Sequence, residues 1–124
     1  MTQVLTLKTP KMLAHVDEHG IGWVIFNQPE RHNALSLEMW QGLADILSNY
    51  AGREDVRIAV MRGAGGKAFV SGADISKFES QRSTPEAVAH YNATGAKAYE
   101  TLYNFPKPTI AKIKGYCFGG GVGT

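Results

Sequence analysis

The feature that most constrains this chain is the stretch from Lys114 to Gly123, Lys-Gly-Tyr-Cys-Phe-Gly-Gly-Gly-Val-Gly. An apolar run, Thr109 to Ile113, leads into it from behind Pro106 and Pro108. Glycine at this density lets backbone N–H groups come close to another group, because there is no Cβ to hold it off. If a helix follows such a turn, its N–H groups sit at the positive end of the helix dipole and can hold an anion or a developing oxyanion. A second stretch of the same kind, Ala68-Phe69-Val70-Ser71-Gly72-Ala73-Asp74-Ile75, again runs from apolar residues into a turn of small ones. The two turns are expected to converge on one ligand atom.

The intervening sequence reads as a scaffold for these turns. Met12 to Asp17 and Ile21 to Asn27 are β-leaning runs separated by Glu18-His19-Gly20, a hairpin pattern, and residues 1–10 read as a flexible, unpatterned arm. Asn27 to Asn33 breaks the pattern, with Pro29 and two asparagines favouring turns. Ser36 can cap a helix whose Leu37, Trp40, Leu43, Ala44, Leu47 and Tyr50 share one face. Val56 to Met61 is a compact strand, and the order strand, helix, strand implies a parallel pair joined by a crossover. Gly63 to Lys67 superficially resembles a phosphate-binding P-loop. It fails the pattern, since Met61 stands where a glycine is needed and Ala68 where a Ser or Thr is needed, so a flexible β-turn is expected. Pro85 to Phe105 reads as a long helix entered at Ser83 or Thr84, with Val88, Tyr91, Ala98, Leu102 and Phe105 as its apolar contacts and Gly95 weakening its middle. Thr109 to Tyr116 reads as a further strand.

Composition excludes several classes. A net charge of +2, with Lys and Arg scattered, gives no basic stripe for nucleic acid. No apolar run approaches the ~20 residues of a membrane span. The single cysteine excludes an intramolecular disulfide and fits a reducing compartment, so a cytoplasmic location is expected. His15, His19, His32 and His90 show no metal-ligand spacing, and no metal is expected. Cys117 has no recognisable histidine partner and reads as a neutral thiol.

Four segments, taken in order, resemble the enoyl-CoA hydratase/isomerase (crotonase) family, specifically its N-terminal half. They are Asn27 to Leu35 (Asn-Gln-Pro-Glu-Arg-His-Asn-Ala-Leu), Ala68 to Ile75, Lys107 to Ala111 (Lys-Pro-Thr-Ile-Ala), and Gly115 to Gly121. The resemblance implies an α/β fold, a crotonase-like (ClpP/crotonase) spiral of β-β-α units, incomplete at the C-terminus, with residues 11–124 as the N-terminal part of the domain. It implies an acyl group carried as a coenzyme A thioester, with coenzyme A as part of the substrate rather than a cofactor, in reactions of fatty acid metabolism. By motif position, the backbone N–H groups of Ala73 and Gly120 would bind the thioester carbonyl oxygen. Ser71, Gly72, Ala73, Asp74 and Ile75 would accept the adenine, Gly119 and Gly120 would contact the substrate, and Arg31 or His32 would face the phosphates. Full-length relatives are commonly trimers or hexamers, which implies a homo-oligomer.

One departure bears on chemistry. Family hydratases carry a glutamate three residues after the middle glycine of the triplet, where this chain has Gly123. A second glutamate would fall beyond Thr124, so the 124 residues hold an oxyanion hole without a general acid or base in a family position and are expected to be inactive by themselves. His90, on the helix after the Ser71 to Ile75 turn, reads as a surface histidine rather than a catalytic one. Two functions follow: hydration or double-bond isomerisation of an enoyl-CoA through a thioester enolate, or non-catalytic binding of acyl-CoA.

Overall fold

The computed structural model describes residues 3–5, 7–66, 68–70, 84–114 and 116–117. Strands β1 (Gln3–Val4), β2 (Met12–Val16), β3 (Ile21–Phe26), β4 (Ile58–Gly63) and β6 (Thr109–Lys112) form one sheet in the order β1-β2-β3-β4-β6. A smaller sheet pairs β5 (Ala68–Val70) with β7 (Tyr116–Cys117). Among the described residues, helix α1 (Leu37–Ala51) lies between β3 and β4 of the large sheet, and helix α2 (Pro85–Tyr103) lies between β5 and β6.

The hairpin forms as expected, because Asp17 closes it. Its carboxylate accepts from the His19 and Ile21 backbone N–H groups at 2.9 and 3.0 Å and from Trp23 Nε1 at 3.0 Å. The Trp23 bond is the largest influence holding the Asp17 carboxyl below its ordinary pKa. β3 then pairs in parallel with β4 from Ile21↔Ile58 to Phe26↔Gly63, the crossover supplied by α1.

α1 is capped by Ser36, whose Oγ accepts from Met39 N, and α2 by Thr84, whose Oγ1 accepts from Ala87 N. The buried face of α1 is wider than the expected stripe and adds Met39, Gly42 and Ile46. The reason is double coverage: Met12, Ala14, Val16, Val24, Phe26 and Met61 from the sheet join the same core as Tyr91 and Ala98 from α2. At the end of α1, the buried Tyr50 hydroxyl lies 2.6 Å from the Trp23 carbonyl oxygen and 3.1 Å from that of His15, tying the helix to two strands. Burial is the main cause raising the pKa of that hydroxyl.

Three expectations are corrected. Residues 1–10 were expected as a flexible arm, yet β1 pairs antiparallel with β2, Leu5 N donates to the Ala14 carbonyl at 2.9 Å, and Leu5 and Leu7 pack on the core. The alternation Leu5, Leu7 around a polar residue is itself a strand-edge pattern, and the free edge of β2 offers it hydrogen bonds. Thr109 to Tyr116 was expected as one strand but forms two, β6 in the large sheet and β7 in the small one. The partner dictates the split: β4 ends at Gly63, just beyond the Arg62↔Lys112 pair, and the next strand to pair with is β5. The fourth strand also sits two residues later than Val56 to Met61, since its ladder starts at Ile58 while Val56 is buried ahead of it.

Candidate active site

β5 and β7 lie side by side and parallel, with Ala68↔Tyr116 and Val70↔Cys117 as partners. Parallel neighbours point the same way, so the carboxyl ends of β5 and β7, at Val70 and Cys117, lie at the same end of the small sheet. The sequences that follow them are those expected to form the site. In an open α/β architecture, the carboxyl ends of parallel strands are where ligands bind. Of the expected site residues, Ser71, Gly72, Ala73, Asp74, Ile75, Gly119 and Gly120 lie outside the described residues. Arg31 lies within them, exposed at the end of a short 3-10 turn, Pro29–Arg31.

What the described residues show is how β5 is held. Asn33 is fully buried with φ 57°, a left-handed conformation that asparagine tolerates better than most residues. Its Oδ1 accepts from Gln28 N at 2.8 Å, while its Nδ2 donates to the Ala68 carbonyl at 2.9 Å and to the Ala64 carbonyl at 3.1 Å. One amide thus fastens the Asn27 to Leu35 loop to the strand that feeds the Ser71 to Ile75 turn and to the turn before it. Gly63 makes the approach possible. A Cβ there would stand 2.1 Å from the Ala68 oxygen, 2.6 Å from Asn33 Nδ2 and 2.7 Å from the Phe69 oxygen.

The other side of the loop is tied to α2. Trp40 Nε1 donates to the Tyr91 hydroxyl at 3.3 Å, and that hydroxyl donates to the Leu35 carbonyl at 3.2 Å. Lys107, the first residue of the Lys-Pro segment, reaches back to the end of α1. Its Nζ donates to the Tyr50 carbonyl at 2.6 Å and to the Arg53 carbonyl. A cation there satisfies orphan carbonyls and opposes the negative end of the helix dipole.

The motif segments were legible in the sequence, but these structural duties were not. Asn33, Gly63 and Lys107 act through backbone atoms distant in sequence, and only the left-handed tendency of Asn33 and the glycine at the end of β4 hinted at them. His90 is exposed on α2, beside a groove of about 310 Å³ that Gln41, Asp45 and Lys97 also line. Among the described residues, no cluster of three or more His, Cys, Asp or Glu is placed to hold a metal, and no helix is long and apolar enough to cross a membrane.

The architecture is that of the crotonase fold, an α/β spiral. An enoyl-CoA hydratase/carnithine racemase from Magnetospirillum magneticum superimposes with a TM-score of 0.85 at 37% identity, over 93% of this chain and 43% of that one. Enoyl-CoA hydratase from Bacillus anthracis follows with a TM-score of 0.82 at 27% identity, covering 91% of this chain and 43% of its own. The enoyl-CoA hydratase/isomerase family matches residues 17–124, and the chain belongs to that family. A hydroxycinnamoyl-CoA hydratase-lyase from Pseudomonas fluorescens is 34% identical over 107 residues, which are 84% of this chain and 38% of that relative. A mitochondrial Delta(3,5)-Delta(2,4)-dienoyl-CoA isomerase from Mus musculus is 33% identical over 108 residues, 80% of this chain and 33% of that one. The chain therefore spans less than half the length of these relatives.

Proposed function

We propose that the protein, in its full-length form, acts on an enoyl-CoA thioester by stabilising the enolate oxygen with the backbone N–H groups of Ala73 and Gly120. The observation that carries this reading is the parallel pairing of β5 with β7, which puts the carboxyl ends of the two strands that precede the small-residue sequences at one end of the small sheet. Adding water to the double bond, or moving a proton beside the thioester, builds negative charge on the carbonyl oxygen. Two preorganised donors lower that barrier, and removing one in comparable sites costs about 3 kcal/mol. Backbone donors place no demand on side chains beyond smallness, which fits Gly72, Ala73 and the triplet Gly119 to Gly121.

In this reading, the turn from Ser71 to Ile75 takes the adenine of coenzyme A, Arg31 faces its phosphates, and the full-length protein assembles as a trimer or hexamer in the cytoplasm. No separate cofactor takes part, since coenzyme A arrives with the substrate. The 124 residues by themselves are proposed to turn nothing over, because Gly123 stands where family hydratases carry a glutamate. Gly123, where family hydratases carry a glutamate, supports isomerisation over hydration, or a second reading in which the protein binds acyl-CoA without turning it over.

The test is an assay of the full-length protein with crotonyl-CoA and with a 3-enoyl-CoA, alongside Ala73→Pro, which removes the N–H. Turnover of either substrate that falls about 10²- to 10³-fold in the variant supports the oxyanion role. Equal turnover in the variant would overturn it. Binding of the thioester with no turnover of either substrate would establish the second reading.

A further inference from the structure

At the carboxyl ends of β4 and β6, the side chains of Arg62, Lys112 and Lys114 line one pocket of about 190 Å³ together with Gly63, Gly66 and Ala68. We propose that this pocket is a binding site for a phosphoryl group. The sheet register argues for it first. Arg62 and Lys112 are direct partners in the β4–β6 ladder, so two like charges stand side by side on one face of the sheet. Such a pair is unfavourable without a counter-charge. Among the described residues none is present: no described carboxylate lines the pocket, and the ion pairs involve none of these three cations.

Arg62 is also steadied for the task. Its guanidinium carbon stands 5.9 Å from the centroid of the Trp23 ring, a cation–π contact that limits its rotamers while leaving its N–H fork available. The third cation lies beside the neighbouring turn, where a Cβ on Gly66 would lie 3.7 Å from Lys114 Nζ. Gly66 has φ +73°, so the turn brings bare backbone rather than a side chain to the pocket. Three cations with mixed geometry, one forked and two point-like, match the several oxygens of a phosphoryl group better than the two of a carboxylate. The size agrees, because the pocket is smaller than the ~300–1,000 Å³ that encloses a drug-sized ligand and suits an anionic group rather than a whole cofactor.

The location gives the site its consequence. Ala68 stands three residues before Ser71, and Lys114 immediately precedes Gly115, so the pocket walls are the roots of both turns of the candidate active site. An anion held there bridges the roots and draws them together electrostatically. The inference rests on the pocket and stands apart from the acyl-CoA reading.

The test is calorimetric titration of the full-length protein with inorganic pyrophosphate at low ionic strength, with Lys112→Gln and Lys114→Gln for comparison. Saturable binding is expected in the parent protein, weakened about tenfold in each variant, as loss of one charge-assisted contact predicts. A second measurement needs no variant: pyrophosphate should protect Lys112 and Lys114, but not the exposed Lys97 on α2, from amine acylation read by mass spectrometry. Absence of saturable binding, or protection of Lys97 equal to that of the pocket lysines, would overturn the proposal. Competition by coenzyme A would identify the phosphoryl group as that of the substrate, and simultaneous binding of coenzyme A and pyrophosphate would identify a separate ligand. Both results require an occupied pocket.

Discussion

The side-chain amide of Asn33 donates to the carbonyl of Ala68 at 2.9 Å, across 35 positions of sequence and inside the core. That bond, with the acceptance of Gln28 N by the same side chain, makes Asn33 a keystone between the Asn27 to Leu35 loop and β5. Asn33→Ala should therefore leave the Gln28 N–H and the Ala68 carbonyl buried without their partner. Each such group costs about 1–3 kcal/mol, so urea unfolding should show a loss of at least about 2 kcal/mol. Asn33→Asp keeps the acceptor for Gln28 but removes both donated bonds and places a charge in a fully buried site, so it should be no milder. A stability near that of the parent in both variants would show that Asn33 is not the fastening.

Gly63 permits that fastening by having no side chain. The Cβ of alanine would meet the Ala68 oxygen at 2.1 Å, a backbone atom that cannot turn aside. β4 and β5 would have to separate, taking the Asn33 bonds with them. Gly63→Ala is expected to destabilise by about 3 kcal/mol or more, beyond the range of ordinary surface changes. Because Gly63 also touches the root of the Ser71 to Ile75 turn, turnover of the full-length protein should fall with stability. The double variant with Asn33→Ala should lose less than the sum of the two single losses, since both act on one contact.

Much of this architecture could be read from the residues. Ser36 and Thr84 announce their helices by capping chemistry, which is local, and the hairpin follows from alternation around a glycine turn. The relation of β6 to β7 could not be read in this way. Thr109 to Tyr116 has one continuous β pattern, and the switch between sheets depends on where β4 stops and β5 begins, which is information held elsewhere in the chain. The same holds for the candidate site. Its small-residue turns are visible as composition, but the members that hold them, Asn33 and Lys107, bond to backbone atoms, and a backbone acceptor leaves no trace in its own residue type. The first ten residues misled because β1 is only two residues long and its pairing, rather than its sequence, orders it.

Lys107 offers a test of a motif residue whose work is structural. Its ammonium group closes the carbonyl end of α1 at Tyr50 and Arg53. Lys107→Met keeps most of the stem and removes the charge. The loss should be about 1–2 kcal/mol, from a charge-assisted hydrogen bond and the helix-end interaction together. Substrate affinity of the full-length protein should stay unchanged, and a selective rise in KM without a change in melting would contradict the assignment.

Acid should act through Asp17. Its carboxyl is held below the ordinary value, chiefly by the Trp23 indole N–H and then by the Ile21 and His19 N–H groups. A carboxyl whose pKa is lower when folded contributes stability that is complete above its unfolded value of about 3.9 and is lost as the pH falls through the folded value. Asp17→Asn should therefore reduce stability at neutral pH and flatten its decline below about pH 4, near the carboxylate value. Parallel stability curves for the two proteins from neutral to acid pH would show that the hairpin clasp is not charge-dependent.

Gly95 supplies a prediction of opposite sign. It lies buried in the middle of α2, where glycine is a poor helix former, and the sequence alone suggests a weak point. The structure shows that an added Cβ would meet the Trp40 ring atoms Cδ2 and Cε2 at 3.9 Å, an ordinary van der Waals distance. Nothing forces a glycine there: the backbone is helical and the neighbouring ring needs no displacement. Gly95→Ala should thus gain the helix propensity difference of about 0.8–1 kcal/mol, with a small further contribution from contact with Trp40. Larger residues should reverse the sign, because they would press the indole away from Tyr91 and break its 3.3 Å bond to that hydroxyl. Thermal melts of the Ala and Val variants separate the cases. A stabilised alanine and a destabilised valine are expected, whereas destabilisation by alanine would mean that α1 and α2 are packed more closely at Gly95 than this geometry allows.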